Sequence, residues 1–111
     1  MGRLISMTIE ERFSGGELTL SFRGELDHHA ARRATRKLEL AVDKHLPGAC
    51  VLDLGGLTFM DSSGIALIIK ARRRAGELGA SLRVVGVGRQ PGRVLTAAGI
   101  DRLVSIEALS E

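Results

Sequence analysis

The sequence predicts an α/β domain on a mixed β-sheet, with an N-terminal antiparallel hairpin followed by parallel strand–helix–strand units. Three observations predict it. Apolar residues alternate with period two on both sides of a Gly-Gly turn, two long segments carry apolar residues at helical spacing, and short apolar runs separate the helical segments. Strand–helix–strand units demand parallel neighbours joined by right-handed crossovers.

The elements run in the order β-β-α-β-α-β-α-β. Ile5, Met7 and Ile9 alternate with Ser6, Thr8 and Glu10, the pattern of a half-buried strand. Ser14-Gly15-Gly16 supplies a turn, and Leu18, Leu20 and Phe22 alternate again through Arg23, which completes a hairpin. Asp27 is placed to cap a helix from His28 to Leu46, because its carboxylate accepts an orphan backbone N–H. Ala31, Ala34, Leu38, Ala41 and Val42 form the buried stripe of that helix, and Arg32, Arg33, Arg36 and Lys37 fall on the other side. Pro47-Gly48 ends it.

Cys50 to Leu54 reads as a central strand, and Gly55 to Met60 as a connection into Asp61-Ser62-Ser63-Gly64. The second helix runs from Ser63 to Leu78, burying Ile65, Leu67, Ile68 and Ala71 and exposing Lys70 and the Arg72-Arg73-Arg74 run; Gly79 stops it. Ser81 to Val87 is a further strand, and Pro91 to Ala98 a third helix ended by Gly99. Leu103-Val104-Ser105 reads as a last strand and Ile106 to Ser110 as a stub of helix.

A chain of 111 residues fits one domain spanning 1–111. Hydrophobic residues at 44% and charged residues at 26% match a soluble globular protein and exclude disorder. The longest aliphatic run, Ile65 to Ile69, is far short of the ~20 residues that span a bilayer, so no membrane partner is expected. Met1 to Ser6 lacks the apolar region of a signal peptide. It fits the loose myristoylation pattern, but its alternation reads better as strand. Cys50 is the one cysteine, with no partner for an intrachain disulfide, and this suits a reducing cytoplasm. The net charge of +3 raises nucleic acid as a partner, yet acidic residues are interspersed with basic ones, and only Phe13, Phe22 and Phe59 are available to stack on bases.

Several enzyme motifs fail on spacing. Gly86 to Gly92 reads G-x-G-x-x-x-G, one residue too long for a dinucleotide fingerprint, and no acidic residue stands ~20 positions further on. No phosphate-cradling P-loop is present. Ser62 lacks a nucleophile-elbow context, because Met60 stands where its first Gly belongs. His28 and His29 diverge by about 100° on a helix and have no third ligand at metal spacing.

Asp61-Ser62-Ser63-Gly64 is different. It lies where a strand's carboxyl end hands over to a helix, the usual place for the functional crevice of an open α/β sheet. Asp61, Ser62 or Ser63 capping the helix is the economical reading of the spacing alone. A serine there also sits at the positive end of a helix dipole beside unpaired N–H groups, which tolerates an added phosphate.

Gly24 to His29 (G-E-L-D-H-H), Val51 to Leu54, and Leu57 to Gly64 (L-T-F-M-D-S-S-G) resemble a STAS-domain anti-sigma factor antagonist, most closely those of sporulation. The resemblance extends over nearly the whole chain, through Ala98-Gly99-Ile100. It implies a binding protein rather than an enzyme, a cytoplasmic regulator of transcription. Its partner is both anti-sigma factor and serine kinase, and phosphorylates the first serine of D-S-S-G, here Ser62. The resemblance implies partner contact through Asp27, Asp61, Ser62, Ser63 and Gly64, and a separate serine phosphatase that resets the switch. It implies no cofactor, since ATP belongs to the kinase, no metal and no nucleic acid.

The chain departs from the pattern at Ala66, where relatives often have Gly, in its richness in arginine, and in leaving room for only a short last helix. Other readings are a STAS subunit of a stress-signalling scaffold or lipid-transport complex, and a nucleic-acid binder using Arg32, Arg33, Arg36 and Arg72 to Arg74.

Overall fold

The computed structural model describes residues 7–110, so Ile5 and Ser6 of the expected first strand lie outside the described residues, as does the myristoylation pattern. Strand β1 (Met7–Ser14) turns through Gly15-Gly16 into β2 (Glu17–Leu26); next come α1 (His28–His45), β3 (Ala49–Met60), α2 (Ser63–Glu77), β4 (Ser81–Val87), α3 (Arg89–Ala97), a 3-10 turn (Ile100–Arg102) and β5 (Ser105–Ala108). The strands form one sheet in the order β1-β2-β3-β4-β5. The β1–β2 pair is antiparallel and every later pair is parallel. This is the mixed sheet the sequence predicts.

Every parallel crossover steps the same way across the sheet, so right-handed connections bring the helices to one face. Leu18, Leu20 and Phe22 of β2 and Leu52 and Leu54 of β3 meet Ala34, Leu38, Ala41, Leu67, Ile68 and Ala71 there in one core. Burying each leucine contributes about 1.5–3 kcal/mol. The opposite face carries Thr8, Glu10, Ser21, Arg23 and Asp53, which line a shallow polar hollow. Among the described helices none is long and apolar enough to cross a membrane.

Several boundaries differ from expectation, each for a tertiary reason. Gly55 to Met60 is not a loop: β3 runs through it, paired along β2 as far as Leu26 opposite Met60. The bulges that carry it there are its own, with Leu54 and Gly55 opposite Phe22 alone and Thr58 extra between Leu57 and Phe59, and a Cβ on Gly56 would stand 2.7 Å from the Phe22 carbonyl oxygen. Only Ser105 of the expected last strand is in β5, and the helix stub at Ile106 to Ser110 is absent; Ile106 pairs with Val84 instead. A helix that short gains too few bonds to offset nucleation, whereas the open edge of β4 offers a ladder. The third helix begins at Arg89, which puts Pro91 in its first turn, where a missing N–H goes unnoticed.

Helix α1 ends one residue early, with Leu46 left-handed at φ 45°. The arginine run of α2 divides. Arg72 and Arg73 are exposed, but Lys70 and Arg74 are half-buried and reach α1, pairing with Glu39 at 3.4 Å and Asp43 at 2.6 Å. Ile65 is only partly buried.

Glu11 anchors β1 to α1. Its carboxylate meets His45 Nε2 at 2.8 Å and Lys37 Nζ at 3.3 Å, and the Phe13 ring stacks on His45 at 4.4 Å. The His45 hydrogen bond, opposed by desolvation and helped by Lys37, holds the Glu11 carboxyl below the ordinary glutamate range. As pH falls the unfolded chain therefore takes up this proton first, and stability declines through the folded value. The stability advantage of wild type over Glu11→Gln should be complete near neutral pH and fade as acid titrates Glu11, read from denaturant midpoints across that range. A pH-independent difference would contradict the assignment.

Candidate functional site

The register of β2 and β3 builds the site. Leu26 and Met60 are partners at the carboxyl ends of adjacent parallel strands, and the Asp61 N–H donates to the Leu26 carbonyl at 3.2 Å. Asp27 and Asp61 therefore come next, side by side, each at the start of a helix. Asp27 caps α1, its Oδ1 accepting from the Ala30 N–H at 2.9 Å.

At α2 the structure resolves which of three residues caps. Asp61 Oδ1 accepts from the Ser63 N–H at 2.8 Å, and the Asp61 carbonyl accepts from Gly64 at 3.1 Å. Ser62 already has helical backbone angles and makes no side-chain cap bond. It is exposed, whereas Asp27, Asp61 and Ser63 are half-buried. The hydroxyl of Ser62 thus stands outward at the positive end of α2.

Gly64 is buried beneath this turn, and what it contributes is close packing. A Cβ there would lie 2.5 Å from Met60 Cγ and Sδ and 3.2 Å from Leu26 Cδ2. Met60 is itself fully buried, so the first turn of α2 rests directly on the two strand ends.

Three further features surround the turn. Phe59, paired with Glu25 across the strands, is 41% exposed, and strand alternation from the buried Met60 turns it to the sheet face away from α2. A groove between the first turns of α1 and α2 is lined by His28, Arg32, Ser63, Ala66 and Lys70, so the Ala66 methyl alters this groove and not the core. Gln90, on the first turn of α3, holds the Met60 backbone: the Met60 N–H donates to Gln90 Oε1 and Gln90 Nε2 donates to the Met60 carbonyl, both at 2.8 Å. Sequence reasoning missed Gln90, because its partner is thirty positions away. Its one signal was a polar residue beside Pro91 at a strand-to-helix turn.

Of the other candidates, Arg32, Arg33, Arg36 and Lys37 line one hollow on α1 with His29 and Leu40, and the rest disperse. The His28 and His29 rings meet edge-on at 5.7 Å, and the described residues hold no group of three or more metal-ligating side chains. Among the arginines proposed for nucleic acid, Arg33 donates to the Met7 carbonyl, Arg72 to the Leu103 carbonyl, and Arg74 pairs with Asp43 and Glu77. Cys50 is buried on β3, and burial pushes its thiol pKa up.

A family model of the STAS domain matches residues 8–110. The chain belongs to the STAS domain family. Among curated STAS relatives, the anti-sigma F factor antagonist of Paenibacillus polymyxa is 28% identical over 102 residues, covering 92% of this chain and 87% of that protein. Solved STAS structures share the fold. An anti-sigma factor antagonist from Mycobacterium paratuberculosis superposes with a TM-score of 0.83 at 24% identity, over 92% of this chain and 86% of that one. The Bacillus protein SpoIIAA in its phosphorylated form superposes with a TM-score of 0.71 at 20% identity, over 89% of this chain and 90% of that one.

The packing at Gly64 is open to a direct test. Gly64→Ala should destabilise the domain by about 1–3 kcal/mol, because the methyl must displace the stem of Met60. Equilibrium denaturation measures this, and an unchanged midpoint would remove the close approach.

Proposed function

We propose that this chain is an anti-sigma factor antagonist. It docks through the surface around Asp27, Asp61, Ser62 and Ser63 on an anti-sigma factor that is also a serine kinase, so that a sigma factor is released, and phosphorylation of Ser62 switches it off. One observation carries the reading: Asp61 satisfies the helix cap, which leaves the Ser62 hydroxyl exposed at the start of α2. The chain acts by binding, and the chemistry belongs to its partners. The Paenibacillus polymyxa relative, an anti-sigma F factor antagonist, and SpoIIAA, solved in phosphorylated and unphosphorylated forms, support the same reading.

The physics of the switch is local. A phosphoserine adds about −1.5 to −2 charges at neutral pH. Asp61 precedes it, and Asp27 stands at the neighbouring strand end. Docking would bury this anion among carboxylates. Inverting occupancy from 1:99 to 99:1 takes about 5.5 kcal/mol of differential affinity, and a buried unpaired charge costs about 3–5 kcal/mol, so repulsion and desolvation together reach that scale. The N-terminus of α2 stabilises the phosphate on the free protein by only about 0.3–1 kcal/mol, too little to offset the loss. No change of fold is required. A serine phosphatase then removes the group and restores docking.

Ser62→Ala should keep its stability, bind the anti-sigma kinase constitutively and take up no phosphate from ATP, by titration calorimetry and mass-spectrometric localisation. Ser62→Asp should bind more weakly than wild type. Undiminished phosphate uptake by Ser62→Ala, or equal affinity for Ser62→Asp, would overturn the assignment.

A further inference from the structure

We propose that Gln90 is the positioning residue of the Ser62 turn, its carboxamide clamping the Met60 peptide and so tying that turn to α3. The proposal rests on the reading of Ser62 as the phosphate acceptor.

The clamp answers a shortage of partners. Strand β3 is paired on its β2 side as far as Met60, but on its β4 side the ladder ends at Asp53 opposite Val85. Gly86, at φ 65°, then turns β4 away; a Cβ there would strike Asp53 Oδ1 at 2.7 Å. The far end of β3 thus has no strand neighbour on that side. Met60 is fully buried, and an unpaired peptide group there would be costly. Gln90 supplies both missing bonds at 2.8 Å. A carboxamide offers a donor and an acceptor from one rigid plane, so it stands in for a single residue of a neighbouring strand.

The turn beyond Met60 depends on this clamp. The next residue, Asp61, donates to Leu26 through its N–H and caps Ser63 through its carboxylate. Gly64, one turn on, packs against Met60 itself. Ser62 lies between these fixed points, so releasing the Met60 peptide loosens Asp61, and with it the cap that keeps the serine outward. The hydrogen bonds of Gln90 go to the Met60 backbone and not to the Ser62 hydroxyl, so it acts through Met60.

Residue-resolved amide exchange on the whole protein tests the clamp without any partner. In Gln90→Ala, exchange at Ser63 and Gly64 should accelerate about 10-fold more than at the core amides of Leu20, Leu52 and Val84. Gln90→Glu adds a pH profile that a purely structural loss does not produce. The introduced carboxylate accepts from the Met60 N–H but has no proton for the Met60 carbonyl, whereas the protonated acid serves both. Protection factors at Ser63 and Gly64 should therefore be low at neutral pH and recover toward wild type as the carboxyl takes up its proton. Acceleration confined to Met60 in the alanine variant, or pH-independent protection in the glutamate variant, would overturn the proposal. In the presence of the anti-sigma kinase and ATP, Gln90→Ala should raise the KM for phosphate transfer to Ser62, and an unchanged KM would count against a role in presentation. A wild-type protein that takes no phosphate would end the functional reading, while the exchange result still decides the clamp.

Discussion

The pairing of Leu26 with Met60 is the constraint on which the rest depends. Two parallel strands that end in register deliver both of their succeeding helices to the same rim of the sheet. The first residue of each handover is an aspartate, and each aspartate satisfies an N–H of its own helix. The shared rim also explains why α2 begins with a residue lacking a side chain in its first turn: the strand ends and the helix start occupy one small volume, filled by Met60 and Leu26.

Within that rim the labour is divided among neighbours. Asp61 takes the capping role that Ser62 or Ser63 was equally suited to fill, and Gln90 satisfies the backbone just upstream. The serine hydroxyl is left with no structural duty. Under the proposed switch, esterifying a group without such a duty leaves the fold undisturbed and is felt only by the docking partner.

Much of this was legible in the sequence because it is local. Period-two alternation around Gly15-Gly16 marked the hairpin, Asp27 marked the start of α1, and the handover at Asp61-Ser62-Ser63-Gly64 marked the rim. The misjudged parts depend on distant partners. Gly55 to Met60 reads as a loop by composition, yet it is strand because β2 lies beside it, and Ile106 is strand because β4 has an open edge. The three-way choice of cap turns on backbone angles that composition does not encode. Gln90 is the clearest case, since nothing near it in the chain announces that Met60 lacks a partner.

The central claim is that the Asp27 and Asp61-Ser62 handovers form one docking surface on which added negative charge is felt. A double-mutant cycle of Asp27→Asn and Ser62→Asp, measured as affinity for the anti-sigma kinase, tests it most directly, because asparagine keeps the cap of α1 and removes only its charge. The account predicts that the two changes couple by at least about 0.5 kcal/mol, with the charge at position 62 better tolerated once Asp27 is neutral. Strict additivity would contradict it.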